Sequence, residues 1–355
     1  TISEKQIKAI PNIVTLITAE EIKNLGATNL LEILRFVPGL DFGAELDNVT
    51  GLGVRGNNAT EGKVLILLDG QELNETNYGS FDYGQHILAS DIQKIEILRG
   101  PGSAIYGGSA ELAVINIVSK QGSDIHGANY SGGYDFSHSG TLSYQNSLIL
   151  GDKTKSGLIY SLSLQQYSGV KSNLEVNSFT SQSVNYADSS NFDNYKANLG
   201  IAYKNLEFRY IYDYKNFDNL QKRIGSVLFD GHYAGLKYKY EVNDKVSIVP
   251  QINLKVLKPW QFIDFPDYQQ YNTLNTRFTA KIITNYAIAE NVNLIFGLEH
   301  FFDKGKKFTD SIFYSNYRNE ITYENSAAFF ETSYDPKFAY FVAGARLDFH
   351  EQYGF

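Results

Sequence analysis

The stretch NLEFRYIYDYK, Asn205–Lys215, alternates strictly: Leu206, Phe208, Tyr210, Tyr212 and Tyr214 share one face, and Glu207, Arg209, Asp213 and Lys215 the other. Successive side chains of a strand point to opposite sides, so this is a β-strand with one apolar and one polar face. LIYSLSLQQY repeats the pattern, setting Leu158, Tyr160, Leu162 and Leu164 against Ser161, Ser163 and Gln165. KVSIVPQINLKVL does so with Ile252, Leu254 and Val256 against Gln251, Asn253 and Lys255, and KFAYFVAGARLDF with Ala343, Ala345 and Leu347 against Arg346 and Asp348. About eleven such segments follow Gly122. Each runs ~10–14 residues, against ~5–6 in soluble sheets.

The connections between them alternate in length. GDKTK, KN, VND, AIAEN and DPK are tight, whereas the stretches around 169–192, 216–227, 258–270 and 304–320 are long and polar. Short turns at one rim and long loops at the other mark a transmembrane antiparallel β-barrel. A soluble β-sandwich is the competing reading, but its strands are shorter and its turns need not alternate. An odd strand count leaves an open edge, which lipid does not tolerate. The sequence therefore reads as the N-terminal part of a longer chain. Its last residues, DFHEQYGF, alternate Phe349, Tyr353 and Phe355 as a closing strand would, but Glu351 breaks that face.

Composition agrees. The 355 residues are 43% hydrophobic, enough for a large core, with Tyr 26 and Phe 23 against one Trp. Such aromatics favour strands and gather in barrel girdles. No apolar run approaches the ~20 residues of a transmembrane helix, and no intact signal peptide is present. A net charge of -8 argues against a general nucleic-acid binder. The absence of Cys removes disulfides, thiolate metal sites and cysteine catalysis, and the absence of Met implies a processed or trimmed start.

Before Gly122 the pattern is different. NIVTLIT reads as a strand, and AEEIKNLG as a short helix with Thr18 as N-cap, Glu20 and Glu21 in its first turn and Gly26 as its stop. NLLEILRFVPGL repeats that form, with Leu30, Leu31, Leu34 and Val37 at helical spacing and Pro38-Gly39 ending it. VLILLDG, DIQKIEIL and AVINIVSK are further strands, which gives a compact α+β unit of roughly 120 residues. The turn RGPGSAIYGG, Arg99–Gly108, invites a phosphate-loop reading. It lacks the Gly-Lys-Ser/Thr ending and the dinucleotide glycine spacing, so its glycines are read as turn and close-packing devices. Pro101 suits a helix start and Tyr106 packs inward. Asp69 in LLDGQ starts a turn with Gly70 rather than serving as an acid catalyst. No catalytic constellation is present, and the six histidines are scattered without ligand spacing, so neither an enzyme nor a protein-held metal is expected.

VRG (Val54–Gly56), VLILLDGQEL (Val64–Leu73) and IQKIEILRGPGSAIYGGSAELAVINIVSK (Ile92–Lys120) resemble the plug domain of TonB-dependent outer-membrane receptors. PNIVTLITAEEIKNLGATNLLEILRFVPGL is similar to the opening of such plugs, so the resemblance covers residues 10–120. Two departures stand out. Leu112-Ala113 occupies the place of a glycine pair, with Ala113 still small, and no energy-coupling box is identifiable in TISEKQIKAI.

The resemblance implies a plug domain over 1–122 and, over 123–355, the N-terminal part of a barrel of about twenty-two strands. It implies a bacterial outer-membrane receptor that binds and imports a scarce metal chelate. A ferric siderophore comes first, haem or cobalamin next, and energy comes through TonB and its inner-membrane complex. The partners are then TonB, the chelate and the lipid bilayer, with no cofactor and no nucleic acid. It implies that Arg55 and Arg99 latch the plug to carboxylates of the barrel wall, the alternative being an internal Arg99–Glu96 pair. Ligand contacts fall to the loop Asn74–Gly84, at Asn77, Tyr78, Phe81 and Tyr83, to the stretch Phe42–Gly51, and to Trp260, whose other reading is a membrane-interface anchor. Two other functions stay open. One is a surface-binding or accessory barrel without import. The other is a glycan or peptide importer with a lipoprotein lid, a class that usually carries an extra N-terminal domain.

Overall fold

The computed structural model describes residues 13–44, 48–100, 104–137, 140–172, 175–177, 183–185, 190–218, 225–264, 272–308, 319–336 and 338–351. Pro101, the segment TISEKQIKAI, Tyr353 and Phe355 lie outside the described residues.

The N-terminal unit starts with β1 (Ile13–Thr18) and runs into α1 (Ala19–Leu25). Thr18 accepts from the Glu21 N–H while Glu21 reaches back to the Thr18 N–H, a reciprocal capping box. Gly26, at φ 68°, takes the left-handed stop. α2 (Leu30–Arg35) is capped by Asn29 and ends earlier than the apolar spacing suggests, with Phe36 as C-cap. Pro38 disfavours helical geometry at Val37, which is why the last predicted helical position falls outside.

Next come β2 (Leu40–Ala44), β3 (Thr50–Val54) and β4 (Asn57–Asn58), which form a small sheet. β5 (Val64–Leu68), β6 (Gln71–Glu72), β7 (Ile92–Arg99) and β8 (Ala113–Ser119) join β1 in a second sheet of order β1-β7-β8-β5-β6. Only β5–β8 is parallel there. Leu30, Ile33, Ile66, Ile95, Ile115 and Ile117 are buried at its centre.

After α3 (Gly122–Ile125), long strands take over: β9 (Gly127–Ser137), β10 (Gly140–Lys153) and β11 (Leu158–Val170). A separate hairpin, β12 (Glu175–Asn177) and β13 (Ser183–Asn185), sits in the first long loop. β14 (Asn191–Tyr203), β15 (Leu206–Asp218), β16 (Ser226–Tyr238) and its continuation β17 (Tyr240–Asn243) follow. β18 (Val246–Ile263), β19 (Thr273–Ala289), β20 (Val292–Lys307), β21 (Glu320–Tyr334) and β22 (Phe341–His350) complete the set. Apart from that hairpin they form one antiparallel wall in which each strand pairs with its neighbour in sequence, β22 at one edge and β9 at the other.

The two faces of this wall are reversed relative to a soluble sheet. On β14, Lys196 and Asn198 are 4% and 2% exposed, while Tyr195 and Ile201 are 41% and 39% exposed. On β15, Asp213 and Lys215 are buried with Ile211. Charged residues are almost never fully buried unless paired, so the polar face has to cover partners. It does: the wall curves around the N-terminal unit, and Ile211, Tyr233 and Leu257 join that unit's core.

Candidate functional site

Several segments of the N-terminal unit meet the wall, Asn48 and Gln85–Asp91 among them, and three others carry most of the polar contacts of interest. The first is the hairpin turn Asp69-Gly70, with φ of 51° and 82°, as a two-residue turn of the mirror-image type requires. Asp69 accepts from the Ser119 N–H (2.9 Å) and hydroxyl (2.7 Å) and from Asn198 on β14 (3.1 Å). Arg209 of β15 approaches the same carboxylate at 3.4 Å. Gln71 donates to Asn253 on β18 (3.0 Å), and Glu72 pairs with Lys255 (3.0 Å) and Arg277 (3.4 Å). Arg277 is itself held by Asp303 on β20 (2.7 Å). Burial pushes the Glu72 carboxyl up, but the Lys255 and Arg277 charges outweigh it and hold the group at about 2.

The second segment is the glycine-rich turn. Lys281 of β19 donates to the Ile105 carbonyl (3.0 Å) and pairs with Glu299 (3.0 Å), which also holds Arg346 of β22 (2.7 Å). Gly107, at φ 74°, leaves room for that guanidinium: a Cβ there would stand 3.2 Å from the Arg346 Cζ. Tyr106 packs half-buried beside Leu65, Leu98 and Val114.

The third is the loop Asn74–Gly84, at the end of the wall that carries the long connections. It braces itself: Glu75 accepts from the N–H groups of Asn77 (2.6 Å), Tyr78 (2.8 Å) and Ser80 (3.1 Å). Asn77 accepts from Asn275 on β19 (2.6 Å), and Tyr78 lies edge-on to Trp260, ring centres 6.2 Å apart. These three expected site residues come together. Phe81 and Tyr83 do not join them at a surface; they are 4% and 1% exposed and pack against each other, with Phe42 on Tyr83.

Trp260 owes its place to a bulge. The β16–β18 register shifts between Leu228 and Asp230, so Pro259 and Trp260 together face Phe229. Trp260 has φ 55°, a costly value for a bulky residue, and its ring stands 4.9 Å from that of Phe229. A cavity of about 20 Å³, room for roughly one water, lies beneath it between loop and wall.

Behind the loop, His86 is buried and pushed down to about 3 by that burial, so its 3.7 Å approach to Asp213 is not an ion pair at neutral pH. Asp213 is paired instead with Lys196 (3.1 Å). Among the described residues no group of His, Asp or Glu is placed to hold a metal ion.

Residues 6–114 match the family described as the TonB-dependent Receptor Plug Domain. The chain carries a TonB-dependent receptor plug. The fold of plug and wall together is that of solved receptors. A ferric enterobactin receptor of Pseudomonas aeruginosa superposes with a TM-score of 0.75 at 17% identity, over 100% of this chain and 60% of that one. The siderophore receptor PirA of the same organism gives 0.67 at 16%, over 97% and 57%. The FrpB iron transporter of Neisseria meningitidis gives 0.72 at 14%, over 94% and 57%. The chain thus spans about 60% of the length of the solved receptors it resembles.

On the plug, Arg99 donates to Thr15 (2.8 Å), and its Nε is buried without a partner among the described residues. Burial first, then the charge of nearby Arg55, pushes its pKa down. Glu96 is taken by Lys94 (2.6 Å) and Asn116 (2.8 Å). The plug–wall ion pairs formed by Asp69 and Glu72 have the opposite polarity from an arginine latch: plug carboxylate, wall cation. They were not foreseen from the sequence. The available signal was the row of cations on the polar faces of the wall strands, Arg209, Lys255 and Arg277, which demands buried carboxylates.

Proposed function

We propose that this plug and wall belong to a bacterial outer-membrane receptor that binds a metal chelate, a ferric siderophore in the first instance, and imports it with energy delivered through TonB. One observation carries the reading: an apolar-outside wall wraps a folded plug whose charged side chains fill the polar lumen. A wide barrel without such a plug is an open channel. A plug fastened by polar contacts is closed at rest and detachable by force. The plug family and the siderophore receptors of like fold support the same activity.

In this reading Asn77, Tyr78 and Trp260 contact the chelate at the long-loop rim, and Phe81 and Tyr83 set the loop from below. Arg55 and Arg99 latch the plug. Two arginines within electrostatic reach of each other are relieved by a carboxylate from the wall. The test is growth of a deletion strain, with and without the restored gene, on single sources of ferric siderophores, haem and cobalamin. Loss of growth on one chelate, restored by the gene, is the expected result. Unaffected uptake of every source ends the chelate reading.

A further inference from the structure

Among the described residues, four buried polar atoms without a hydrogen-bond partner lie on the plug loop and on the two wall strands beside it: Thr76 Oγ1, Asn77 Nδ2, Trp260 Nε1 and Thr273 Oγ1. They belong to one patch where the plug loop meets β18 and β19. Asn77 is bonded to Asn275, two residues along the same face from Thr273. Gln261, next to Trp260, donates to the Thr273 carbonyl (3.2 Å). A buried donor left unpaired keeps the full cost of its lost hydration, and native proteins leave few. Trp260 adds backbone strain at its bulge, a cost that persists where the surroundings impose it and that clusters at ligand sites.

The charges nearby decide what these atoms await. Asn77 and Trp260 offer N–H donors, and neither is charged. The adjoining cavity is lined by Glu75, Asp82, Asp213 and Asp230 against Lys215 and Lys258. Lys215 is spent over the rings of Phe81 and Phe229 (5.4 and 4.7 Å), and Lys171 donates to the Asn48 carbonyl. Asp213 is answered by Lys196 (3.1 Å) and Asp230 by Lys258 (3.9 Å), so among the described residues these charges are paired and leave no free cation to answer a polyanionic chelate.

We infer that Thr76, Asn77, Trp260 and Thr273 form a subsite for a chelate of zero net charge that presents carbonyl-type oxygen acceptors, as ferric hydroxamates do, rather than for a trianionic catecholate. This rests on the chelate-import reading and narrows it. Tyr78, 48% exposed, is the side chain over Trp260 that the ligand displaces.

The test uses the full-length receptor in outer-membrane vesicles, with two probes: a neutral hexadentate ferric trihydroxamate and a trianionic hexadentate ferric tricatecholate. Wild type should bind the trihydroxamate in preference. Trp260→Phe keeps the ring and deletes the N–H, and should weaken that binding about five- to tenfold, the worth of one hydrogen bond. Thr273→Val should act in the same direction, with heat-modifiable gel mobility showing that both variants stay folded. Preference for the tricatecholate, or trihydroxamate binding untouched by both substitutions, overturns the subsite. If the receptor still imports iron from some chelate while either of those results holds, only the subsite falls. If no chelate is bound or imported, the import reading falls with it.

Discussion

Glu72 shows how one side chain fastens two domains. Its carboxylate neutralises Lys255, which is buried, and Arg277, which is largely so. Glu72→Gln keeps the shape and leaves both cations with less than they need. Breaking a buried pair costs about 3–5 kcal/mol, and the partial exposure of this one argues for about 2–3. Amide exchange of the hairpin Leu67–Leu73 should quicken by roughly thirty- to a hundred-and-fiftyfold, and unchanged exchange would show that the pair is idle.

Asp91 supplies the pH dependence. Burial, then the charge of Asp69, raises its carboxyl to about 7, opposed by the Ser163 hydroxyl, Arg209 and Lys196. An undocked aspartate ionises near 3.8. Between those values the docked plug holds a proton that the undocked one lacks, so docking weakens as pH rises from about 4 to about 7 and is level above. Asp91→Asn should flatten that slope when plug protection from protease is followed against pH.

At the scale of the element, the glycine-rich turn works through its backbone. Gly107 combines a left-handed φ with contact against Arg346. With ψ at -164° this is a conformation essentially reserved for glycine, so Gly107→Ala should cost about 1–3 kcal/mol in backbone strain and press on the Arg346–Glu299 pair. Gly108→Ala, where a Cβ meets nothing within 4 Å and φ is ordinary, is the control and should be silent. Entry of a large antibiotic, reporting a loosened plug, separates the two; equal entry would mean that the turn carries no such constraint.

Local elements of this kind were legible in the sequence because their causes are local. Thr18, Glu21 and Gly26 announce α1, and Asp69-Gly70 announces a hairpin. The bulge at Trp260 was legible in principle, since a proline within a strand, here Pro259, marks an edge or a bulge. The partnership of Glu72 with Arg277 was not. It spans 205 positions and exists only once the wall has curved round the plug.

At the scale of the whole molecule, alternation revealed two faces on every wall strand but could not say which faces outward. Period two is the same in a soluble sheet and a membrane barrel; only burial of the polar side distinguishes them. On β14 the outward side runs Tyr195, Ala197, Leu199, Ile201, Tyr203. Eight residue steps at ~3.3 Å, tilted by about 35–45°, bring the two tyrosines roughly 19–22 Å apart in height, close to the ~25 Å apolar band of a barrel with its aromatic girdles. Leu199 lies midway, and Leu199→Arg tests the assignment. In lipid the arginine costs about 2–4 kcal/mol at mid-depth, so the folded fraction recovered from outer membranes should drop and the denaturation midpoint in vesicles should fall. On a water-facing wall the same change would stay within about 0.5 kcal/mol. Lys155→Glu, exposed in the tight turn between β10 and β11, should be neutral in both surroundings. A silent Leu199→Arg would turn the apolar belt into a surface for protein rather than lipid, and the plugged wall would no longer be read as a membrane gate.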